Sequence, residues 1–493
     1  ARLDAIGPSS LSQDARLDRE FLRAQLDARV LQLDVIRNWE RDPDSYSGAI
    51  TNAAYILMKR AFAPPAERLA LVIAREKKMP ALLQLARSNL KNPPRVFTQI
   101  AIEQVDGNAS FFRDDLPLAF KAVTDAALVA EFKASNDAVI AALGAYKLWL
   151  ETELLPRSQG DFALGADTYR RLLAATELVD LPLERLLDVA EADRLANEAQ
   201  FVATARLIDP RKPADEVLAE VEAQHPAPSA LLATTQDTLD SLREFIVARH
   251  ILTIPESSPA RVQETPPFQR STTSASMDTP GPFETRAQQA YYNMTLPDPR
   301  WPADRQADFM RQWYFASITN VSVHEVYPGH YLQFLWAKEF PGDVRKVFGA
   351  NTNVEGWAHY TEQMMLDEGF HAGEPVYRLA QLQDALLRDV RCLVGIRMHT
   401  QGLTVEQAQQ LFETQAHQPA PVALSEAKRG SNDPLYGYYT LGKLAILKLR
   451  ADYAAKLGPA YTLQGFHDTF IRLGPLPMPL VREKLLGARG ELL

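Results

Sequence analysis

Two stretches of this chain carry residue types that could do metal and acid–base chemistry. One is Val323-His324-Glu325-Val326-Tyr327-Pro328-Gly329-His330, and the other is Val354-Glu355-Gly356-Trp357-Ala358-His359-Tyr360. Two imidazoles and a carboxylate are donors of the kind that hold a catalytic zinc ion, which takes three protein ligands and keeps one position open. His324, His330 and Glu355 are the candidate ligands. Glu325 is the candidate general base, because a carboxylate beside a ligand can take the proton of an activated water.

The spacing of the two histidines constrains the backbone. On a regular helix, positions i and i+6 point roughly 240° apart and cannot share a metal. Pro328 has no N–H for the carbonyl of His324, and its ring clashes with that carbonyl, so a helix must bulge or break there. Gly329 can take backbone angles closed to other residues and swing His330 back. A distorted helix is therefore part of the expectation. The plain alternative is a set of hydrogen-bonded core or surface residues in a helical protein, because short motifs often mislead.

Composition narrows the class. Of 493 residues, 46% are hydrophobic and 23% charged, as in an ordinary globular protein. That length allows several average domains or one large helical unit. A net charge of −9 with no Lys/Arg-rich tract argues against nucleic acid as a partner and disfavours an anionic membrane surface. No apolar run is long enough for an integral membrane segment. The single Cys392 excludes an intramolecular disulfide and, among Leu393 and Val394, reads as a buried thiol. A chain beginning at Ala1 fits a cleaved export signal, and equally a trimmed sequence. The expectation leans to the bacterial periplasm or cell envelope over the cytoplasm.

The elements that must position these residues read as helices. In 1–252, Leu22, Leu26, Val30 and Leu33 recur at helical spacing between charged positions. Further helices are expected over 66–77, 80–91, 95–112 and 118–154, broken at Pro80, Pro93-Pro94, Pro117 and Pro156. This part reads as a helical scaffold without chemistry of its own. Residues 253–302 are proline-rich and cannot be regular helix. Within them 261–268 and 291–296 favour β structure, as short strands beside the site or as extended coil. An edge strand there could dock a substrate backbone.

Helices return over 303–493, the expected catalytic lobe, and the three parts could form one continuous domain. One helix over 305–328 carries His324 late in its course, and another runs on from the bulge over 331–340. After a turn at Pro341-Gly342-Asp343, a helix from near Val354 places Glu355, His359 and Glu362 on one face. Antiparallel packing would bring Glu355 level with both histidines, with Trp357, Met364 and Met365 in the core. The helix over 375–399 carries Arg388, Arg391, Arg397 and His399. These arginines read as solvated or paired with acids such as Asp384 and Asp389, or, in one case, as a site for a substrate carboxylate. Tyr436, Tyr438 and Tyr439 could supply a hydroxyl to an oxyanion, or pack as core aromatics.

His324-Glu325-x-x-Pro328-Gly329-His330-Tyr331-Leu332-Gln333, Glu355-Gly356-Trp357-Ala358-His359-Tyr360-x-Glu362 and Tyr439-x-x-Gly442-Lys443 resemble the bacterial family known as domain of unknown function 885, grouped with the zinc metallopeptidases. The likeness extends to Asp18-Arg19-Glu20, Trp39-Glu40-Arg41-Asp42-Pro43 and Ala63-Pro64, and so to nearly the whole chain. It implies a mainly α, metallopeptidase-like fold with a deep cleft and at most a small β element near the site. It also maps His324, His330 and Glu355 onto zinc ligands and Glu325 onto the general base. The helix bearing Glu355 resembles the third-ligand helix of oligopeptidases related to thimet oligopeptidase, where a second acid stands at the place of Glu362.

The expected activity is zinc-dependent hydrolysis of peptide bonds, in short peptides. Tyr439, with Tyr438 as second choice, would hydrogen-bond the oxyanion. His359 and Glu362 would orient the ligands, and Arg429 and His399 would bind substrate. A zinc hydrolase of another amide, such as an acylated amino acid, fits the same residues. A non-catalytic helical binding protein is a further alternative, marked by a fourth protein ligand closing the metal shell.

Overall fold

A computed structural model describes residues 2–256, 259–266, 270 and 273–493. Phe268, in the first expected strand, and Ser271 and Thr272 lie outside these residues.

The first half is helical, and its helices start where a side chain or a proline opens them. Helix α1 (Gln13–Leu31) begins behind Ser12, whose hydroxyl accepts from the Ala15 N–H at 3.2 Å. It is followed by α2 (Asp44–Met58), α3 (Pro65–Glu76) and α4 (Arg95–Ser110). Helix α5 (Ala126–Trp149) starts later than its periodicity suggests, because Asp125 caps the N–H groups of Ala127 and Leu128. Pro117 and Pro156 each stand within the last turn of a helix, which ends at Ala119 and at Arg157. Each follows a wide π turn, Phe111–Asp115 and Leu150–Leu154, which shifts the hydrogen-bond register ahead of the ring. The apolar faces of α2 to α5 close one core around Ile50, Val72, Phe112 and Leu143. Helices α6 (Leu183–Ile208) and α7 (Leu231–Ala248) lead to the proline-rich segment.

That segment forms strands rather than coil: β1 (Arg261–Glu264), β2 (Ala275–Asp278) and β3 (Tyr291–Met294). The order is β1-β3-β2, with β1 parallel and β2 antiparallel to β3. The outer edges are engaged at specific points. The Val262 N–H donates to Gln236 of α7 at 3.2 Å, and Asp278 pairs with Lys59 and Arg60, each at 2.8 Å.

The helix expected over 305–328 is divided. Ala303–Met310 and a 3-10 turn at Arg311–Trp313 precede an extended Tyr314, and α8 (Phe315–Glu325) starts afresh. Then come α9 (His330–Glu339), α10 (Asn351–Asp367), α11 (Pro375–Thr400), α12 (Ala420–Asn432) and α13 (Tyr438–Leu457). Helix α6 packs along α11, and α10 along α13. A second core runs from Leu17 and Phe21 of α1 through α7, the sheet and Trp357 to Leu485, so the ends of the chain share one interior. The molecule is thus mainly α with one small sheet. No helix among the described residues is long and apolar enough to cross a membrane.

Candidate metal centre

His324 is the penultimate residue of α8, and Glu325 is its last. The helix then breaks over Val326, Tyr327, Pro328 and Gly329, with a cis peptide between Tyr327 and Pro328, and α9 begins at His330. Gly329 has a φ of −69°, so what it supplies is room: a Cβ there would fall on the carbonyl oxygen of His324. Its N–H donates to the Val323 carbonyl at 3.0 Å, folding the turn back on α8. Trp357 of α10 donates its indole N–H to the Pro328 carbonyl at 2.8 Å, which ties the turn to the helix bearing Glu355.

Helix α10 is opened by a residue from far upstream. The Glu177 carboxylate accepts from the backbone N–H groups of Asn351 and Thr352, at 3.2 and 2.9 Å, and from the Thr352 hydroxyl at 2.6 Å. A side-chain acceptor at a helix start satisfies donors the helix leaves unpaired, and its charge suits the positive end of the helix dipole. One turn later stands Glu355.

These elements bring three donors together. Glu355 Oε2 lies 3.5 Å from His324 Nε2 and 3.3 Å from His330 Nε2. The two imidazole rings meet edge to face with centroids 4.7 Å apart. One ligand atom from each residue falls within 4.8 Å of the others. Glu355 Oε2 is buried with no hydrogen-bond partner. Burial would push the Glu355 carboxyl up, but the two histidines outweigh it and hold the group well below the usual range. Burial likewise opposes charge on His324, yet Glu355 and Glu362 raise it to about 9. The field at this point therefore favours positive charge.

Glu362 holds the cluster from behind. It is buried and takes His324 Nδ1 at 2.6 Å, His359 Nδ1 at 3.1 Å and an Arg388 guanidinium nitrogen at 3.1 Å. With Nδ1 engaged by a carboxylate, His324 presents Nε2 to the cluster. His359 is fully buried, and burial lowers it to about 4.

The remaining expected residues fall at different distances. The Tyr439 ring lies 6.3 Å from that of His324, centroid to centroid, with the Arg391 and Arg388 guanidiniums 5.3 and 5.7 Å from its own. Tyr438 donates its hydroxyl to Asp433 at 3.3 Å, and Arg429 reaches both Asp433, at 3.2 Å, and the Tyr438 oxygen, at 3.4 Å. Glu325 is half-buried and makes no hydrogen bond or ion pair among the described residues. Its charge adds to burial in raising the hydroxyl of Tyr292 on β3. His399 sits apart from the cluster, buried, with Nε2 2.8 Å from the Gly430 carbonyl oxygen.

Arg388 and Arg391 are not solvated. Arg388 faces Glu362 and also Asp384 at 3.4 Å, and Arg391 forks onto Glu426 with two bonds of 2.7 Å. Asp389 pairs with neither: it accepts from Asn197 at 2.7 Å and Thr440 at 2.9 Å. Three residues escape the sequence reading: Glu177, Arg388 as the cation paired with Glu362, and Phe334, which stacks on His330 at 5.9 Å. Phe334 follows His330 by four residues on α9, a spacing that would have found it. Nothing in the sequence near 177 signals its role.

Close backbone packing fixes Glu355 in depth. At the α10–α13 crossing, a Cβ on Gly442 would collide with the Thr352 carbonyl oxygen and lie 2.6 Å from the Cα of Gly356. Gly442→Ala should therefore separate the helices and cost about 1–3 kcal/mol. Denaturant unfolding checks this; an unchanged midpoint would show that the crossing can relax.

Fold and site together define a large, mainly α-helical protein with a buried His, His, Glu cluster at a broken helix. The chain belongs to the family of bacterial proteins of unknown function DUF885, which matches residues 1–485. No curated protein matches the chain. Solved structures similar to it include two bacterial proteins. One, a "putative lipoprotein of unknown function" from Shewanella oneidensis, is 26% identical, with 98% of this chain and 90% of that chain covered and a TM-score of 0.81. The other, a "putative lipoprotein" from Colwellia psychrerythraea, is 16% identical, with 97% and 99% covered and a TM-score of 0.74. The second likeness is one of fold alone.

Proposed function

We propose that this protein is a zinc-dependent, metallopeptidase-like hydrolase of amide bonds in short peptides. The observation that carries the reading is the convergence of His324, His330 and Glu355 within 4.8 Å, next to the uncommitted carboxylate of Glu325. The residues fit the ion. Two imidazoles and a carboxylate are its usual catalytic donors, and the buried Glu355 Oε2 faces both imidazoles at 3.3 and 3.5 Å without a hydrogen bond. The side chains of His324, His330 and Glu355 keep 9, 12 and 22% of their surface exposed, so the cluster is open on one side. An open position distinguishes a catalytic zinc site from a structural one.

When bound, zinc supplies Lewis acidity to water and to a substrate carbonyl. The chain's own groups do the rest. A carboxylate oxygen of Glu325 takes the proton from the attacking water and returns it to the leaving nitrogen. The Tyr439 hydroxyl donates to the developing oxyanion, with Tyr438 the second candidate. Glu362 fixes the orientation of His324, and His359 and Arg388 fix Glu362. Limited exposure of the cluster favours short, unfolded substrates over folded chains. The lipoprotein description of the similar Shewanella oneidensis structure supports a place in the bacterial cell envelope.

A diverse peptide library incubated with zinc-loaded protein and read by mass spectrometry tests the proposal. Cleavage that stops on chelation and returns with added zinc is the expected result. No cleavage by protein holding stoichiometric zinc would overturn the peptide reading and leave a non-peptide amide as the substrate to try.

A further inference from the structure

Helix α9 starts at His330 and runs away from the cluster with one face turned to a cavity of ≈ 220 Å³. Tyr331, Phe334, Leu335, Lys338 and Glu339 stand in the cavity wall, a spacing that belongs to a single helix face. Phe334 joins the cavity to the cluster. Its ring stacks on the His330 imidazole with 12° between the planes and 5.9 Å between centroids. Phe334 nevertheless stays 36% exposed, unusual for a large apolar side chain beside a buried cluster. A group entering the cavity would cover a ring already stacked on a candidate ligand.

The wall changes character along α9. In the first turns after His330 it is carbon, from Tyr331, Phe334 and Leu335, and Pro255 and Pro280 of the proline-rich segment add to it. Charge comes a turn further from the cluster, at Lys338 and Glu339. Lys338 Nζ donates to Gln288 Oε1 at 2.6 Å and to the Glu284 carbonyl at 3.2 Å, both neutral acceptors. Glu339 and Glu256, also in the wall, are exposed and make no hydrogen bond or ion pair among the described residues. Charges of both signs, in contact with water, select weakly for a charged ligand. Covering the exposed carbon near His330 is the larger gain. An apolar cavity of about 150 Å³ holds a benzene molecule, so this one has room for one aromatic side chain.

We propose that this cavity is the specificity pocket of the site and takes a large uncharged apolar side chain, of phenylalanine or leucine size, from the residue beside the cleaved bond. Phe334 is the residue that selects it. The inference rests on the amide-hydrolase reading and deepens it by naming the substrate class: peptides with a bulky apolar residue next to the bond that breaks.

The test is equilibrium binding to the metal-free full chain, where no turnover intervenes. The probes are N-acetylated, C-amidated alanine pentapeptides with Phe, Leu, Lys, Glu or Ala at the central position. The Phe and Leu peptides are expected to bind about tenfold tighter than the other three. The preference should shrink to about twofold in Phe334→Ala, which removes the selecting ring. Thr279→Trp, at a half-buried wall position, should do the same by filling the cavity. Equal affinities, no binding of any probe, tighter binding of the Lys or Glu peptide, or a preference that survives both variants overturns the assignment. Thr279 is remote in sequence from the cluster, so its variant decides the matter where Phe334→Ala fails to fold. An intact preference in a protein that cleaves no peptide when zinc-loaded would overturn the hydrolase reading and leave the pocket standing. Cleavage by a protein without the preference would do the reverse.

Discussion

Glu325→Gln is expected to lower kcat/KM for peptide cleavage by about 10²–10⁴-fold, the usual contribution of a general base, with zinc content unchanged. The reasoning is geometric and chemical. Glu325 follows His324 at the end of α8, half-buried and with no partner among the described residues, so its carboxylate is available to a proton. Glutamine has the same shape but cannot accept that proton, and the three candidate ligands are untouched. Steady-state cleavage of the best library peptide, together with elemental analysis of the bound metal, gives both readings. Retained turnover with full zinc would remove Glu325 as the base. Loss of zinc would instead assign it to holding the ion.

Glu362→Gln should affect both stability and the metal. Its carboxylate is buried among His324, His359 and Arg388 at 2.6, 3.1 and 3.1 Å. Removing one member of a buried ion pair leaves the other uncompensated, at a cost of about 3–5 kcal/mol. The lower end is expected, because Asp384 still faces Arg388 at 3.4 Å. His324 also loses the acceptor that fixes its ring, and loss of such an outer partner weakens metal binding by about 10–100-fold. Denaturant unfolding and competitive zinc titration measure the two effects separately. Wild-type zinc affinity in a destabilised variant would confine Glu362 to the core.

The candidate cluster was legible in the sequence because its determinants are local. His324 and Glu325 are neighbours, Pro328 and Gly329 announce the break, and Glu355, His359 and Glu362 share one helix face. The division of the helix over 305–328 was not legible. No proline or glycine lies between Ala303 and Tyr327; the break comes where Trp313 buries its ring and donates to the Thr295 carbonyl at 3.2 Å, a tertiary contact. The prolines at 117 and 156 mark their helix ends to within two residues, at Ala119 and Arg157, and a wide turn upstream accommodates each ring. Arg388 was one of several arginines on α11, and only the packing of α10 against that helix selects it for Glu362.

The cap on α10 bears on how this protein could be divided or borrowed. All of His324, Glu325, His330 and Glu355 lie in 303–493, which invites treating that stretch as a transferable module. Yet the carboxylate that opens the helix of Glu355 comes from Glu177, and Asp193 holds Lys443 of α13 at 2.6 Å beneath the site. Phe21 of α1 meets Phe348, just before α10, at 6.4 Å. A gene fusion or excised fragment carrying only the motif would inherit the donor atoms without the frame that aims them. The smallest portable unit is close to the entire chain.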